Sequence, residues 1–277
     1  MEESDERKAP DVRFGQALFR QRRRAGRTQE ALAGHISCSS GHISHVENGR
    51  RPLSEADVSK VDDFLGAGGR LIRVYGDLYE PENVDWLGQL HELQAEADVI
   101  REYHNSIFPG VVQRAGYAEA VFKSGSSWLS AEEVADSVKL RLERSAVVLG
   151  AGGPEYHVVM DDIVLHRPVA CPGIMKDQID ATIELAESGR IMLQLHGWDQ
   201  LPNPGLDGPY SILMSAGAPD LVHVESIYGG QTTDDPLSVR RFGVLFSRLQ
   251  ANARSPGSSV ALLKEWSEKY GRSARSA

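Results

Sequence analysis

Cysteine is scarce in this sequence: its 277 residues include only Cys38 and Cys171. The two form no Cys-x-x-Cys pair, so neither a disulfide framework nor a thiolate metal site is expected. Their scarcity agrees with a reducing compartment, the cytoplasm. We therefore expect a fold that is stabilised by its apolar core, without a metal ion or another cofactor.

Long hydrophobic runs are missing as well. No window approaches the roughly 18 consecutive apolar residues of a membrane-spanning helix. Residues 1–10 mix acids and bases with no apolar stretch behind them, unlike a signal peptide. The hydrophobic fraction of 41% and the charged fraction of 25% are close to the averages of globular proteins. We expect a cytoplasmic protein that makes no membrane contact.

The short motifs that mark common enzyme active sites are also absent: His-Glu-x-x-His, Gly-x-Ser-x-Gly, a phosphate loop and Gly-x-Gly-x-x-Gly. His223 and Glu225 alternate along a candidate strand, and a buried hydrogen-bonded pair is the simpler interpretation than a catalytic pair. His42 and His45 lie one helical turn apart, but two imidazoles without a carboxylate or thiolate make a poor metal site. We expect no enzymatic activity, no catalytic residue and no metal ligand.

What the chain does have is an uneven distribution of charge. Residues 13–51 contain eight arginines against Glu30 and Glu47, a charge of +6. Residues 1–80 are balanced overall, so the net charge of −9 arises from residues 81–277. Such asymmetry suggests different partners for the two parts of the chain. The basic segment suits double-stranded DNA, which the acidic remainder would repel.

Residues 13–80 have the spacing of five short helices separated by turn residues. Gly26 is placed to end the first helix and Asn48-Gly49 to end the third, while Ser54 is placed to cap the fourth. The pattern predicts an N-terminal five-helix domain over residues 13–80, with a disordered arm over residues 1–12.

Residues 85–270 predict an α+β domain with a small sheet, followed by a frayed tail over residues 271–277. Helical spacing occurs in Trp86–Ser106, Tyr117–Phe122, Ala131–Leu149, Ile174–Ser188, Leu237–Ala251 and Pro256–Tyr270. Runs typical of strands are Tyr156–Met160, Ile191–His196, Tyr210–Met214 and Leu221–Tyr228. The whole chain is therefore expected to be mainly α.

The segment Thr28–Pro52 carries the most specific pattern. Leu32 and Ile36 give one helix a buried side, and Ile43 and Val46 do the same for the next, with the short turn Ser37–Ser39 between them. The pattern resembles the Xre, or lambda-repressor-like, family of helix-turn-helix regulators. The matching runs are Thr28-Gln29-Glu30, Leu32-Ala33, Ile43-Ser44 and Val46-Glu47-Asn48-Gly49-Arg50-Arg51-Pro52. Ser37 departs from the family, which commonly has glycine there, and His42 and His45 replace its commoner threonine and arginine.

Candidate DNA contacts follow from this arrangement. Gln29, Asn48, Arg50 and Arg51 suit phosphate contacts because helix N-termini and arginines favour anions. The residues between the buried positions of the third helix are free to enter a major groove. These candidate base-reading positions are Ser40, Gly41, His42, Ser44 and His45.

The second half of the chain resembles actinobacterial regulators of the same type. The resemblance rests on Asn105–Ala118, on Arg141-Leu142-Glu143-Arg144, and on the strands that contain His157 and Glu225. It implies an antitoxin-like C-terminal domain and a small partner protein encoded nearby.

Together these features predict a DNA-binding transcriptional regulator. We expect a homodimer, because one recognition helix covers few bases, with the C-terminal domain serving dimerisation and the sensing of a partner or effector. Two alternatives stay open. One is an antitoxin-like protein that neutralises a small partner and regulates its own gene, and the other is an enzyme-like sensor of an unidentified small molecule.

Overall fold

The computed structural model describes residues 9–79, 86–126, 128–226 and 229–275. The chain divides into two compact units, Met1–Asp85 and Trp86–Ala277. Within the described ranges, no helix combines the length and the apolar character that crossing a membrane requires.

The first unit consists of the five helices that the sequence predicts. They are α1 (Ala9–Arg24), α2 (Gln29–His35), α3 (Ser40–Glu47), α4 (Glu55–Phe64) and α5 (Arg70–Tyr79). The side chains of Thr28, Ser39 and Ser54 cap α2, α3 and α4 by accepting a hydrogen bond from a first-turn backbone N–H. One shared core buries an apolar side of every helix, including Phe14, Leu18, Leu32, Ile43, Val46, Val58, Val61 and Leu71.

Part of the segment that was expected to be a disordered arm is helical. Helix α1 begins at Ala9, so residues 9–12 are helical, and residues 1–8 lie outside the described part of the chain. The reason is a tertiary contact that the local sequence does not reveal. Asp11 is buried and its carboxylate accepts a hydrogen bond from the hydroxyl of Tyr79 at the end of α5.

The second unit is an α+β domain, as predicted, built on one mixed sheet. Its strands are β1 (Val99–His104), β2 (Glu155–Asp161), β3 (Ile191–His196), β4 (Tyr210–Met214), β5 (Leu221–Ser226) and β6 (Gly229–Thr233). The order across the sheet is β3-β2-β1-β4-β5-β6. Strands β1, β2 and β3 are parallel, and the remaining neighbours pair antiparallel.

Helices cover both faces of this sheet. They are α6 (Trp86–Ala95), α7 (Ala115–Gly125), α8 (Ala131–Leu149), α9 (Ile163–His166), α10 (Pro172–Glu187), α11 (Pro236–Asn252) and α12 (Pro256–Arg275), with a 3-10 turn at Gly110–Val112. One face forms the larger core with residues such as Tyr117, Met175, Ile179 and Leu263. The other face forms a smaller core, in which Tyr103 and Val159 share contacts with Phe246 and Leu249 of α11.

The first predicted helix of this unit is too long. The helix predicted over Trp86–Ser106 ends at Ala95, and Val99–His104 is a central strand. The apolar positions of the predicted helix are all buried: Leu90, Leu93, Ala97 and Ile100. Ile100, however, belongs to the strand. Because this strand is buried on both faces, its sequence does not show the two-residue period that marks a strand with one exposed face.

The sheet also has six strands instead of the four expected. Strand β1 lies within the predicted helix, and β6, Gly-Gly-Gln-Thr-Thr, has no apolar residue to mark it. The predicted strand Leu221–Tyr228 is a strand to Ser226, and residues 227 and 228 lie outside the described part. Residues 271–275 of the predicted tail continue α12, in which Gly271 is buried against Lys176 of α10.

Candidate nucleic-acid interface

Helix α3 has two distinct sides. Ile43, Val46 and Glu47 are buried against the rest of the first unit. On the opposite side Ser40, Gly41 and His45 are exposed and Ser44 is partly exposed, at spacings of three to five residues that give one continuous face. This face, together with Asn48 just beyond the helix, is called the α3 outer face below. It presents small and polar groups, which suits entry into a major groove.

The turn between α2 and α3 sets the angle at which the α3 outer face is presented. Ser37 has a φ of +57°, the one non-glycine residue of the described chain in the left-handed region. Glycine adopts this conformation without the steric strain that a Cβ atom causes, which agrees with the glycine that the lambda-repressor-like family commonly has at this position. Ser39 then accepts a hydrogen bond from the backbone N–H of His42 at 3.1 Å, which starts α3 immediately after the turn.

A buried ion pair ties α3 to α1. The guanidinium of Arg22 donates to both carboxylate oxygens of Glu47, with an Nη2–Oε2 distance of 2.8 Å, and both residues are less than 9% exposed. Gln29 of α2 donates from Nε2 to the same Oε2 at 2.7 Å. The structure thus places the side chain of Gln29, a predicted phosphate contact, in a bridge between α2 and α3. The roles of Arg22 and Glu47 are not apparent from the sequence, because the two residues are 25 positions apart.

The segment after α3 holds the predicted phosphate contacts Asn48, Arg50 and Arg51. The side-chain amide of Asn48 donates to the carbonyl of Ser44 at 2.7 Å and so ends the helix. Arg50 and Arg51 are exposed, and neither forms an ion pair with a described residue. Gly49, with a φ of +68°, lies against the backbone of Val12, where a side chain would not fit. Because Arg50 and Arg51 are exposed, their guanidinium groups are available to an external anion.

His42 lies at the edge of the α3 outer face. It is partly buried, and its charge contributes to lowering the pKa of Asp57 on α4, after the larger effects of hydrogen bonds from Ser54 and Lys60. The helix therefore divides the predicted base-reading residues into two sets. Ser40, Gly41, Ser44 and His45 share the outer face, and His42 borders α4.

The structure also shows a basic cleft that the sequence does not predict. It has a volume of about 480 Å³ and lies at the start of α2. Its lining residues are Arg22, Arg23, Gly26, Arg27, Thr28 and Gln29. Arg23 and Arg27 are exposed, whereas Arg22 is bound to Glu47. The clustering of arginines at residues 20–27 was the available signal, but only the fold shows which of them reach solvent.

The comparisons with known families agree with this division of the chain. Residues 13–74 match a helix-turn-helix domain, and residues 87–265 match a domain of unknown function, DUF5753. The second match covers more than half of the chain. The chain belongs to the DUF5753 family. No curated protein and no solved structure matches this DUF5753 member. Its first unit is a helix-turn-helix DNA-binding domain, and α3 is the second helix of that motif.

Candidate chemical groups of the DUF5753 domain are arranged differently from the sequence expectation. His223 is buried, but Thr232 of β6, rather than Glu225, is the partner of its Nδ1 at 2.9 Å. Glu225 is exposed and acts on His223 through its charge. Across the described ranges, no three or more histidine, cysteine, aspartate or glutamate side chains gather as metal ligands.

Proposed function

We propose that this protein is a sequence-specific transcriptional regulator that reads base edges with the α3 outer face and holds the DNA backbone with the arginines around it. The observation that carries the proposal is the two-sided burial of α3. Its apolar side and Glu47 fix the helix to the domain, and its small polar side is left for an external surface. In the helix-turn-helix mode of binding, such a helix lies in the major groove.

Arg50, Arg51, Arg23 and Arg27 take the role of phosphate contacts in this proposal. All four are exposed, and they flank the two ends of the helix-turn-helix motif. Contacts of this kind position a protein on the duplex without reading its sequence. Specificity is then assigned to Ser44 and His45, whose side chains carry donors and acceptors at the centre of the outer face.

We further propose that the protein acts as a homodimer and that the DUF5753 domain serves dimerisation and the sensing of an effector or partner rather than catalysis. A single recognition helix covers few base pairs, so paired half-sites about one helical turn apart supply specificity. The segment 197–209 of the DUF5753 domain supports a protein contact. It exposes three large apolar side chains, Trp198 at 52%, Leu201 at 86% and Leu206 at 76%, and a patch formed by such groups would suit a protein partner.

Mapping the genomic binding sites of the protein tests this function. We expect enriched sites with two related half-sites about 10 base pairs apart, centre to centre. The matched control is Ser59→Ala, which changes an exposed serine on α4 and is expected to bind the same sites. Ser44→Ala and His45→Ala are expected to lose or shift them. A wild-type protein that enriches no sequence contradicts the proposal.

A further inference from the structure

One transverse row of the sheet in the DUF5753 domain is polar and buried. Glu102 of β1 is opposite Ser211 of β4, Ser211 is opposite His223 of β5, and His223 is opposite Thr232 of β6. Directly opposed residues share a face of the sheet, and the first three are at most 6% exposed. The neighbouring row on that face is apolar and consists of Ile100, Leu213 and Leu221. The apolar core therefore gives way to polar groups that remain shielded from water.

The negative charge in this row is already satisfied within the domain. His104 Nε2 lies 2.7 Å from Glu102 Oε1, and the hydroxyl of Tyr156 donates to the other carboxylate oxygen. Burial opposes the ionisation of Glu102, but the hydrogen bonds to His104 and Tyr156 and the positive charges of His104 and Arg144 hold its pKa below the ordinary value. Both oxygens of Glu102 therefore have hydrogen-bond partners, and Arg144 acts on this carboxylate through its charge.

Two arginines of α8 lie near this row: the charge of Arg144 acts on Glu102 and His223, and Arg141 interacts with Arg144 and Glu225. Arg144 is 7% exposed, and its Nε atom has no hydrogen-bond partner in the described part of the chain. Arg141, one turn earlier on the same side of the helix, donates to Gln113 Oε1 at 2.7 Å. Its pKa is lowered to about 10 by burial and by repulsion from Arg144, with Glu225 offsetting part of the effect. The Nε–H group of Arg144 is thus a buried donor without an acceptor within the described ranges.

The chain leaves space for Arg144 at one glycine. A Cβ atom on Gly110, at the start of the 3-10 turn, would collide with Arg144 Nη2. Gly110 is itself buried and has an ordinary, negative φ, so the close approach of the guanidinium is what requires glycine. The 3-10 turn and α8 together hold a cationic group over the polar row.

A purely structural network would leave such a cation paired. Arginine cannot lose its proton in a protein, and a buried charge without a partner is destabilising. Buried polar groups that destabilise the fold in this way are found mainly at binding and catalytic sites. Guanidinium groups recognise carboxylates and phosphates through paired N–H donors. An anion bound beside Arg144 would supply the missing partner.

We propose that this cluster is a binding site for a small molecule that carries an oxyanion, a carboxylate or a phosphate group. Arg144 and Arg141 form its cationic side, and Glu102, Ser211 and His223 form the polar floor that recognises the rest of the molecule. The inference rests on the proposed sensing role of the DUF5753 domain, and it names the class of effector.

Calorimetric titration of the full-length protein tests the site. Inorganic phosphate and malonate serve as separate probes, both in a chloride buffer of constant ionic strength. We expect saturable binding of at least one of them, and the comparison shows which oxyanion the site prefers. If neither probe shows saturable binding above the chloride background, the proposal is overturned.

Three variants assign that binding to the cluster. Arg144→Met and Gly110→Ala are expected to weaken it at least tenfold, the second without removing the arginine. Arg248→Met, which removes an exposed arginine on α11 of the same domain, is the matched control and is expected to bind like the wild type. Equal binding by Arg144→Met and the wild type overturns the proposal.

Stability in the absence of anion separates a ligand-binding arginine from a structural one. Because Arg144 lacks a hydrogen-bond partner at Nε within the described ranges, we expect the Arg144→Met variant to unfold at a temperature no lower than the wild type. A clear drop in the unfolding temperature would mean that the arginine stabilises the free domain, which contradicts the inference.

DNA binding is measured separately, by gel shift, so that the two proposals fail independently. If phosphate or malonate binds but no duplex sequence is preferred, the oxyanion site stands and the regulator proposal fails. If the protein binds an operator whose affinity does not change with saturating anion, the site stands and its sensing role is contradicted.

Discussion

Arg22 and Glu47 form a buried two-point ion pair that joins α1 to the last turn of α3. Gln29 of α2 bonds to the same carboxylate, so one glutamate connects three helices. The pair fixes the orientation of the α3 outer face without taking part in it.

Glu47→Leu is predicted to destabilise the first unit strongly, because it leaves the guanidinium of Arg22 buried without a counter-charge. The expected loss is about 3–5 kcal/mol of unfolding free energy, measured by chemical denaturation. Arg23→Met, at the exposed neighbouring position, is the control and should change stability by no more than about 0.5 kcal/mol. The double variant Arg22→Met/Glu47→Leu should recover much of the loss. A single variant as stable as the control contradicts the role of the pair.

Arg50→Gln and Arg51→Gln are predicted to weaken DNA binding to every sequence alike. Each removes one exposed cation that has no partner in the described chain. The slope of log affinity against log salt should therefore fall by about 1 for each phosphate that the variant no longer neutralises. Fluorescence anisotropy at several salt concentrations gives this slope. The Arg248→Gln variant should keep the wild-type slope, and a change in sequence preference by Arg50→Gln would contradict the assignment to phosphate.

Ser37→Gly is predicted to stabilise the first unit. Ser37 holds a left-handed conformation with φ +57°, which costs an L-residue about 1–2 kcal/mol that glycine does not incur. Glycine also loses more backbone entropy on folding, so the expected net gain is up to about 1 kcal/mol. Ser59→Gly in the middle of α4 is the matched control and should cost about 0.5 kcal/mol. Equal destabilisation by both variants would show that the turn is unstrained.

Stability of the DUF5753 domain is predicted to fall as the pH drops below 6.5. Burial lowers the pKa of His223 from its ordinary 6.5, and the positive charge of Arg144 lowers it further. The negative charges of Glu225 and Glu102 offset part of this effect. As the pH falls, the unfolded chain therefore takes up a proton at this histidine before the folded domain does. The contribution of neutral His223 to the folding stability is fully present above pH 6.5 and is lost as the pH falls through the folded-state pKa.

Denaturation of wild type and His223→Gln between about pH 7 and 5 measures this effect. The variant should show a flatter dependence of stability on pH than the wild type. Loss of stability through Glu102 is expected only below its ordinary value of 4.5, because its folded pKa is lowered. An unchanged slope in His223→Gln would contradict the role of this histidine.

The sequence predicted the first unit well because its signals are local. The predicted cap Ser54 and the turn residues Gly26 and Gly49 coincide with helix ends in the structure. The α3 outer face could likewise be predicted, since the positions between Ile43 and Val46 follow from the period of a helix. The bridge from Gln29 to Glu47 could not, because it joins side chains 18 residues apart.

The sheet was harder to predict because its signals are not local. Val99–His104 is buried on both sides in the centre of the sheet, and its Ile100 happened to continue a helical spacing that begins in α6. The polar row was hidden for the same reason. Glu102 and His223 are 121 positions apart in the sequence, and only the pairing of β1, β4 and β5 brings them into one row.

Base reading by the α3 outer face is decided by the affinity of the protein for an operator selected from random duplexes, compared with single-base variants of that operator. Wild-type protein should discriminate against each changed base of the contacted half-site by about 1–3 kcal/mol. His45→Ala and Ser44→Ala should lose this discrimination at one or two positions and retain it elsewhere. If both variants discriminate at every position as the wild type does, the α3 outer face does not read the sequence and the proposed function is wrong.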